Sequence, residues 1–244
     1  TGVESLQNLR LSKEEIGCLS IWKMPDKSKR YRNRYIVVMD VGGVSDEADY
    51  TDITVFDRYW MMDGGIPEVV AEWHGHIDHD KGAWKAVQMA TIYADEEDAM
   101  VEIERNTLET EGTEGNNFEY ILDEIAGHYS NLYCRTPADQ IRQGAPAKWG
   151  FHTNTSTKPM VISHQAKAIR DSLYIERCEE AVDEHDTFEI KEDGKTMGAV
   201  EGMHDDRLMT RAIGVWICYR IGLPFAVNTP IATPTRKVIS EATI

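Results

Sequence analysis

Basic residues are scarce in this chain: 26 Lys plus Arg stand against 42 Asp plus Glu, for a formal net charge of −16. Non-specific nucleic-acid binding draws most of its free energy from Lys and Arg displacing counterions, so a DNA-coating protein is excluded. An acidic enzyme can still act on a phosphate backbone if carboxylates hold divalent cations there. Cysteine is also scarce. The four, at positions 18, 134, 178 and 218, are too far apart for a zinc knuckle and too few for a disulfide scaffold, which fits a reducing cytosol. Apolar runs are short: residues 212–219, broken by Gly214, fall well below the ~20 residues of a membrane-spanning helix. No charged-then-apolar leader opens the chain, which argues against a signal peptide. The first residue is Thr1 rather than Met, which reads as a fragment or a processed product. No 20–50-residue period and no long low-complexity tract appear.

What is present is a chain of 244 residues, 41% apolar, long enough for one large domain or two small ones. Residues 1–34 read as a polar lead-in that ends in a basic run: Lys27, Lys29, Arg30, Arg32 and Arg34, with Tyr31 interleaved. A solvated edge is the plain reading of such a run, and a phosphate-contacting patch is the functional one. Residues 35–223 carry the folded pattern, and the tail, 224–244, looks loose. Within that pattern 35–40 is a short β-rich run before a Gly-Gly turn, and 52–57 and 69–74 are further strands. Positions 83, 84, 87, 90, 91 and 94 recur at helical spacing. A fourth strand covers 99–104, a second helix 118–126, and a fifth strand 132–134. Helices follow at 161–172 and 208–219. Three strands joined by short turns and then alternating helix and strand predict an α/β fold: an antiparallel meander running into parallel strands, a mixed central sheet flanked by helices.

Three acidic positions stand out on that frame. Asp40 ends the first strand before Gly42 and Gly43, glycines that would let a phosphate or metal approach the backbone. Glu104 ends the fourth strand, and Asp205 and Asp206 open the last helix after His204. Singly, each has an ordinary explanation as a turn former or helix N-cap. Together they are informative, because a crossover after the meander can bring the fourth strand beside and parallel to the first. Asp40 and Glu104 would then emerge together at the edge where open α/β sheets bind ligands, with the helix adding a third carboxylate. Crowded carboxylates repel unless cations neutralise them, and oxygen donors suit Mg²⁺ or Mn²⁺.

The runs Val38-Met39-Asp40-Val41-Gly42-Gly43, Val101-Glu102-Ile103-Glu104-Arg105-Asn106 and Gly202-Met203-His204-Asp205-Asp206-Arg207-Leu208-Met209 resemble the three acidic motifs of the nuclease domain of tailed-phage large terminase subunits. That family belongs to the ribonuclease-H-like, resolvase/integrase superfamily. The order and spacing agree across roughly residues 35–220, and the stretches 71–78 and 148–153, with Lys158-Pro159, also look familial. The resemblance implies a ribonuclease-H-like fold and a metal-dependent endonuclease that cuts concatemeric double-stranded DNA during packaging in the cytoplasm of an infected bacterium. It implies two divalent cations held by Asp40, Glu104, Asp205 and Asp206. Lys158 or Arg207 would neutralise phosphate charge, and His204 would serve as a ligand or proton relay. The small terminase subunit and the portal would be partners.

The full family pattern adds a packaging ATPase, but G-x-x-x-x-G-K-[ST] does not occur in these residues, so a motor function is not implied for them. Glu102 shares the strand face of Glu104, and the choice of Glu104 rests on the Arg-Asn that follows. Two other readings are an actin-like or sugar-kinase-like ATPase domain and a non-catalytic docking module of the packaging machine. The cluster His74, His76, Asp78 and His79 could bind a transition metal, although polar residues at a strand end are the simpler account. Trp73, Trp84 and Trp216 read as core.

Overall fold

The computed structural model describes residues 2–42, 49–105, 113–193 and 196–227, without the side chains of 113–119. In chain order the strands and α-helices are β1 (Leu19–Ile21), β2 (Tyr31–Arg32), β3 (Tyr35–Asp40), β4 (Thr51–Asp57), β5 (Glu68–Gly75), α1 (His79–Tyr93), β6 (Met100–Ile103), α2 (Thr113–His128), α3 (Ala138–Arg142), α4 (Thr157–Arg170), α5 (Glu179–Asp186), β7 (Phe188–Ile190), β8 (Met197–Ala199), α6 (Asp206–Arg220) and β9 (Phe225–Ala226).

The central sheet runs β1-β5-β4-β3-β6. Every neighbouring pair is antiparallel except β3 and β6, which are parallel. The meander and the parallel crossover are therefore both present. The edge strand β1 comes from the lead-in and pairs Leu19 with Trp73. The stretch expected as a fifth strand at 132–134 is reduced to isolated bridges, Leu132 to Val101 and Cys134 to Trp149. It is too short for a ladder, and its flanks turn away. Helix α4 starts four residues earlier than the apolar spacing indicated, with Pro159 in its first turn, where proline is tolerated because the first amides have no intrahelical partner.

Period-2 alternation assigns the two faces of the sheet. Val37, Met39, Val55, Val101 and Ile103 pack with Ala83, Trp84, Val87 and Ala90 of α1 and Leu122 and Ile125 of α2. Ile36, Val38, Phe56 and Val69 pack on the other face with Val161 and Ala168 of α4 and Ala212, Ile213 and Ile217 of α6. Trp84 is in the core, as its spacing indicated, while Trp73 and Trp216 pack partly buried against it. Ile213 and Ile217 are fully buried, each worth about 1.5–3 kcal/mol of transfer free energy. A glycine sets how closely α6 approaches: a Cβ on Gly214 would lie 2.2 Å from a ring carbon of Phe56. That contact brings the N-terminus of α6 down onto the C-terminal end of β3.

Candidate active site

On the face covered by α6, the register lines up side chains in rows across the strands. Val38 pairs with Thr54 and Glu102, and Thr54 with Glu72. One row further, Asp40 pairs with Asp52 and Asp52 with His74. Met39 pairs with Ile103, and the Glu104 amide donates to the Met39 carbonyl at 2.8 Å, so Glu104 lies beside Asp40. The outer row thus reads Glu104, Asp40, Asp52, His74. Glu104 is itself bridged on its other side to Phe151, and Gly150 permits this. It has φ +72, and a Cβ there would lie 2.2 Å from the Ile103 carbonyl oxygen.

The third acidic motif meets this row from above. Asp205 occupies the N-cap position of α6 but makes no side-chain cap hydrogen bond; its carboxylate pairs with Lys158 at 3.2 Å instead. Asp206 accepts the Tyr50 backbone N–H at 3.2 Å and is buried. The capping explanation that the sequence offered for these two residues therefore does not hold.

Electrostatics separate the carboxylates. Burial pushes Asp40 well above the usual carboxylate range, and the charge of Glu104, a hydrogen bond with it, and the charges of Asp206 and Asp205 add to the effect. Asp206 is pushed up to about 8, by burial first and then by the charges of Asp49, Glu184 and Asp205, against the opposing Tyr50 amide. Glu102 is fully buried; one oxygen accepts the Phe151 N–H at 2.7 Å, and Oε2 has no hydrogen-bond partner. Burial raises its proton affinity strongly. Among the described residues no Lys or Arg pairs with Asp40, Glu104 or Asp206.

The next residues on the same face behave oppositely. Asp52 is fully buried, yet it bonds Thr54 at 2.8 Å, Thr210 at 2.6 Å, Arg211 at 3.1 Å and His74 Nδ1 at 3.3 Å. Although burial opposes its charge, His74, Arg211 and Thr210 more than offset this and hold its carboxyl below the ordinary value. Arg211 is itself fully buried and also reaches Glu72 at 2.5 Å and Glu176 at 3.1 Å. Neither Asp52 nor Arg211 was singled out from the sequence. Their signal was position: Arg211 lies on the buried stripe of α6, three residues after Leu208, and Asp52 is one strand across from Asp40.

Several expectations change on this geometry. Gly42 is needed for a close approach, but the group that approaches is the chain's own backbone. A Cβ there would fall 2.2 Å from Tyr50 C and 2.3 Å from the Asp49 carbonyl oxygen, and its N–H donates to Thr51 Oγ1. Gly43 and Asn106 lie outside the described residues. Arg207 pairs with Glu72 and Glu184, each at 3.0 Å. His204 stands 3.8 Å from Asp206 and 3.7 Å from Asp49. The cluster His74, His76, Asp78, His79 does not converge: His79 contacts the Gly42 carbonyl, Asp78 pairs with Lys81, and the rings of His74 and His76 stack on Tyr50. Across the sheet, Lys27 pairs with Asp95, Arg30 with Glu96 and Asp98, and Arg34 with Asp26 and Asp57; Arg32 donates to the Glu97 carbonyl. Lys29 is exposed.

Among the described residues no three His, Cys, Asp or Glu side chains are grouped so as to hold a metal ion as they stand. The donor set nevertheless fits a hard divalent cation: all-oxygen and, among the described residues, without a Lys or Arg partner at Asp40, Glu104 and Asp206. Such a cation would replace the proton that Asp40 holds against its neighbours.

No family model matches the sequence, and no curated protein matches it. Solved structures do. The large terminase nuclease of thermophilic phage G20c with bound cobalt superposes with a TM-score of 0.57, at 15% identity, over 84% of this chain and 90% of that one. The same nuclease with bound magnesium gives a TM-score of 0.56, at 15% identity, over 83% and 89%. The chain has the fold of that nuclease: a ribonuclease-H-like mixed sheet between layers of helices.

Proposed function

We propose that this chain is a divalent-metal-dependent DNA endonuclease that cuts concatemeric viral DNA during genome packaging. The observation that carries the reading is the side-by-side emergence of Asp40 and Glu104 at the C-terminal edge of β3 and β6, with the N-terminus of α6 lowering Asp206 onto them. The G20c nuclease, whose fold this chain shares, has been solved with magnesium and with cobalt, which supports the use of a divalent metal.

In this reading Asp40, Glu104, Asp205 and Asp206 hold two cations, Mg²⁺ or Mn²⁺. When bound, they would supply Lewis-acid activation of a water and charge stabilisation of the leaving oxygen. The protein's own contribution is preorganisation. The sheet register fixes Asp40 against Glu104, the Tyr50 amide and Gly42 fix Asp206, and Lys158 holds Asp205 in reach. Lys158 is the accessory cation best placed to meet a phosphate, since its partner is a site carboxylate. Arg207 acts by holding Glu72 and Glu184, and His204 borders the site. The nuclease unit is placed at 35–223, with the lead-in of 1–34 adding the edge strand β1 to its sheet and the tail of 224–244 adding β9, which pairs with β2.

Double-stranded DNA is the substrate. A packaging ATPase domain, a small terminase subunit and the portal are the partners, in the cytoplasm of the infected host. No helix among the described residues is long and apolar enough to cross a membrane. The test is cleavage of supercoiled plasmid by the purified chain with Mn²⁺, Mg²⁺ or a chelator. Metal-dependent nicking and linearisation are expected. Cleavage that chelation leaves unchanged would overturn the metal-dependent reading, and absence of any cleavage would leave the docking-module reading in its place.

A further inference from the structure

A cleft of about 400 Å³ adjoins the carboxylates and shares two residues with their surroundings, Tyr50 and His204. The Tyr50 amide binds Asp206, while its ring stacks on His74 at 4.6 Å and meets His204 edge-on at 5.2 Å. His74 lines the cleft with Arg207, Glu180 and Glu184. Its Nδ1 faces Asp52 at 3.3 Å. Among the described residues no hydrogen bond engages the other nitrogen, Nε2, of this cleft-lining ring.

This is the arrangement by which a buried acid orients an imidazole. Asp52 is fixed from three sides by Thr54, Thr210 and Arg211, so it can accept only from Nδ1–H. The proton that can be exchanged is then on Nε2. Strands lie about 4.8 Å apart, and two strand spacings separate His74 from Asp40 in the outer row. A strand whose phosphate rests against Asp40 and Asp206 would meet His74 only with its leaving sugar oxygen placed across that gap.

We infer that His74, oriented by Asp52, is a catalytic proton donor to the leaving sugar oxygen in phosphodiester hydrolysis. The inference rests on the nuclease reading above. In the step, the water oxygen–phosphorus bond forms and the phosphorus–oxygen bond to the sugar breaks. The Nε2 proton passes to the departing oxygen, and the attacking water releases a proton to solvent. His74 is left neutral with its Nδ1–H still on Asp52, and solvent reprotonates Nε2. The charged and titratable groups that face His74 are Asp52 from β4, Glu72 on its own strand, Glu180, Asp183 and Glu184 from α5, Arg207 from α6, and His204 and Tyr50 at the cleft wall.

The test compares the parent chain with His74→Gln and His74→Ala in plasmid cleavage over about pH 5–8, the range in which histidines change charge. Calorimetric Mn²⁺ titration and thermal melts accompany it. His74→Gln keeps an N–H toward Asp52 but has no transferable proton. It is expected to melt and bind Mn²⁺ like the parent, with turnover lower by about 10²–10⁴-fold and one limb of the pH profile gone. Added imidazole should restore part of the turnover of His74→Ala. Unchanged turnover and pH profile in both variants would overturn the inference. Turnover lost only together with fold or Mn²⁺ binding would also overturn it, by making His74 structural or a ligand. A parent chain that never cleaves DNA would instead overturn the nuclease reading itself.

Discussion

Asp40 and Asp52 are direct cross-strand partners on β3 and β4, share one face of the sheet, and are driven in opposite directions by their surroundings. Asp52 has Arg211, His74 and two threonine hydroxyls and is held charged. Asp40 has Glu104, Asp205 and Asp206 as its charged neighbours, and burial together with their charges raises its proton affinity well above the usual carboxylate range. Paired carboxyls whose environments separate them in this way mark a division of roles. Here the division is between a carboxylate compensated by the protein's own cations and hydroxyls and one that has only like charges around it.

Asp40→Asn should therefore remove repulsion rather than a structural bond. Without metal its melting temperature is expected to equal or exceed that of the parent. The parent should gain about 2.7 kcal/mol when Mn²⁺ is present at a hundred times its dissociation constant, and the variant should lose both that gain and cleavage. Thermal melts with and without Mn²⁺ check it. A variant destabilised without metal and still active on plasmid would contradict the assignment of Asp40.

Arg211→Met should do the opposite. It leaves Asp52, Glu72 and Glu176 buried without their shared cation, and breaking a buried pair by removing one partner costs about 3–5 kcal/mol. Urea unfolding without metal is the measurement, and a change below about 1 kcal/mol would show that the remaining partners suffice.

The sheet and the carboxylate edge were legible in the sequence for a specific reason. Strands 35–40, 52–57 and 69–74 carry unbroken apolar or alternating patterns, and a parallel partner for the first strand follows from one crossover. That alone brings Asp40 and Glu104 together. Asp206 was legible as the start of a striped helix. The compensating layer was not, because Asp52, Glu72 and Arg211 belong to three separate elements and meet only through register and the close approach at Gly214. Nor could the pairing of 27–34 with the acidic turn 95–98 be read, since it joins residues more than sixty apart with no periodic signal.

The basic run gives a third test. Lys27 and Arg30 already face Asp95, Glu96 and Asp98. Replacing both by Ala is expected to lower thermal stability modestly, because they lose their partners in the turn. The slope of log DNA affinity against log salt should stay the same. A slope shallower by about 0.9 for each residue replaced would instead assign the run to DNA phosphates.

Asp206 supplies the pH dependence. Its carboxyl is pushed up to about 8 from an ordinary 3.8, so its contribution to stability is complete below the unfolded value. That contribution is lost as pH rises toward and through the folded one, because the native chain holds a proton that the unfolded chain has released. Asp40 is shifted in the same direction. Asp52 and Glu68 are shifted the other way, and their contributions fail only toward and below the usual carboxylate range, outside this window. A tenfold change in proton affinity is worth about 1.4 kcal/mol. His164 and His185, whose burial lowers their proton affinity, work against this at the lower end of the range, so the effect is read as a difference: between about pH 6 and about pH 8.5 the metal-free parent should lose on the order of 5–10 °C relative to Asp206→Asn. With saturating Mn²⁺ the sign should reverse, since a cation needs the deprotonated carboxylates and binds better as pH rises. A metal-free parent whose melting temperature changes with pH just as that of Asp206→Asn does would show that Asp206 is already ionised in the native state, and that no proton stands where the cation is proposed to bind.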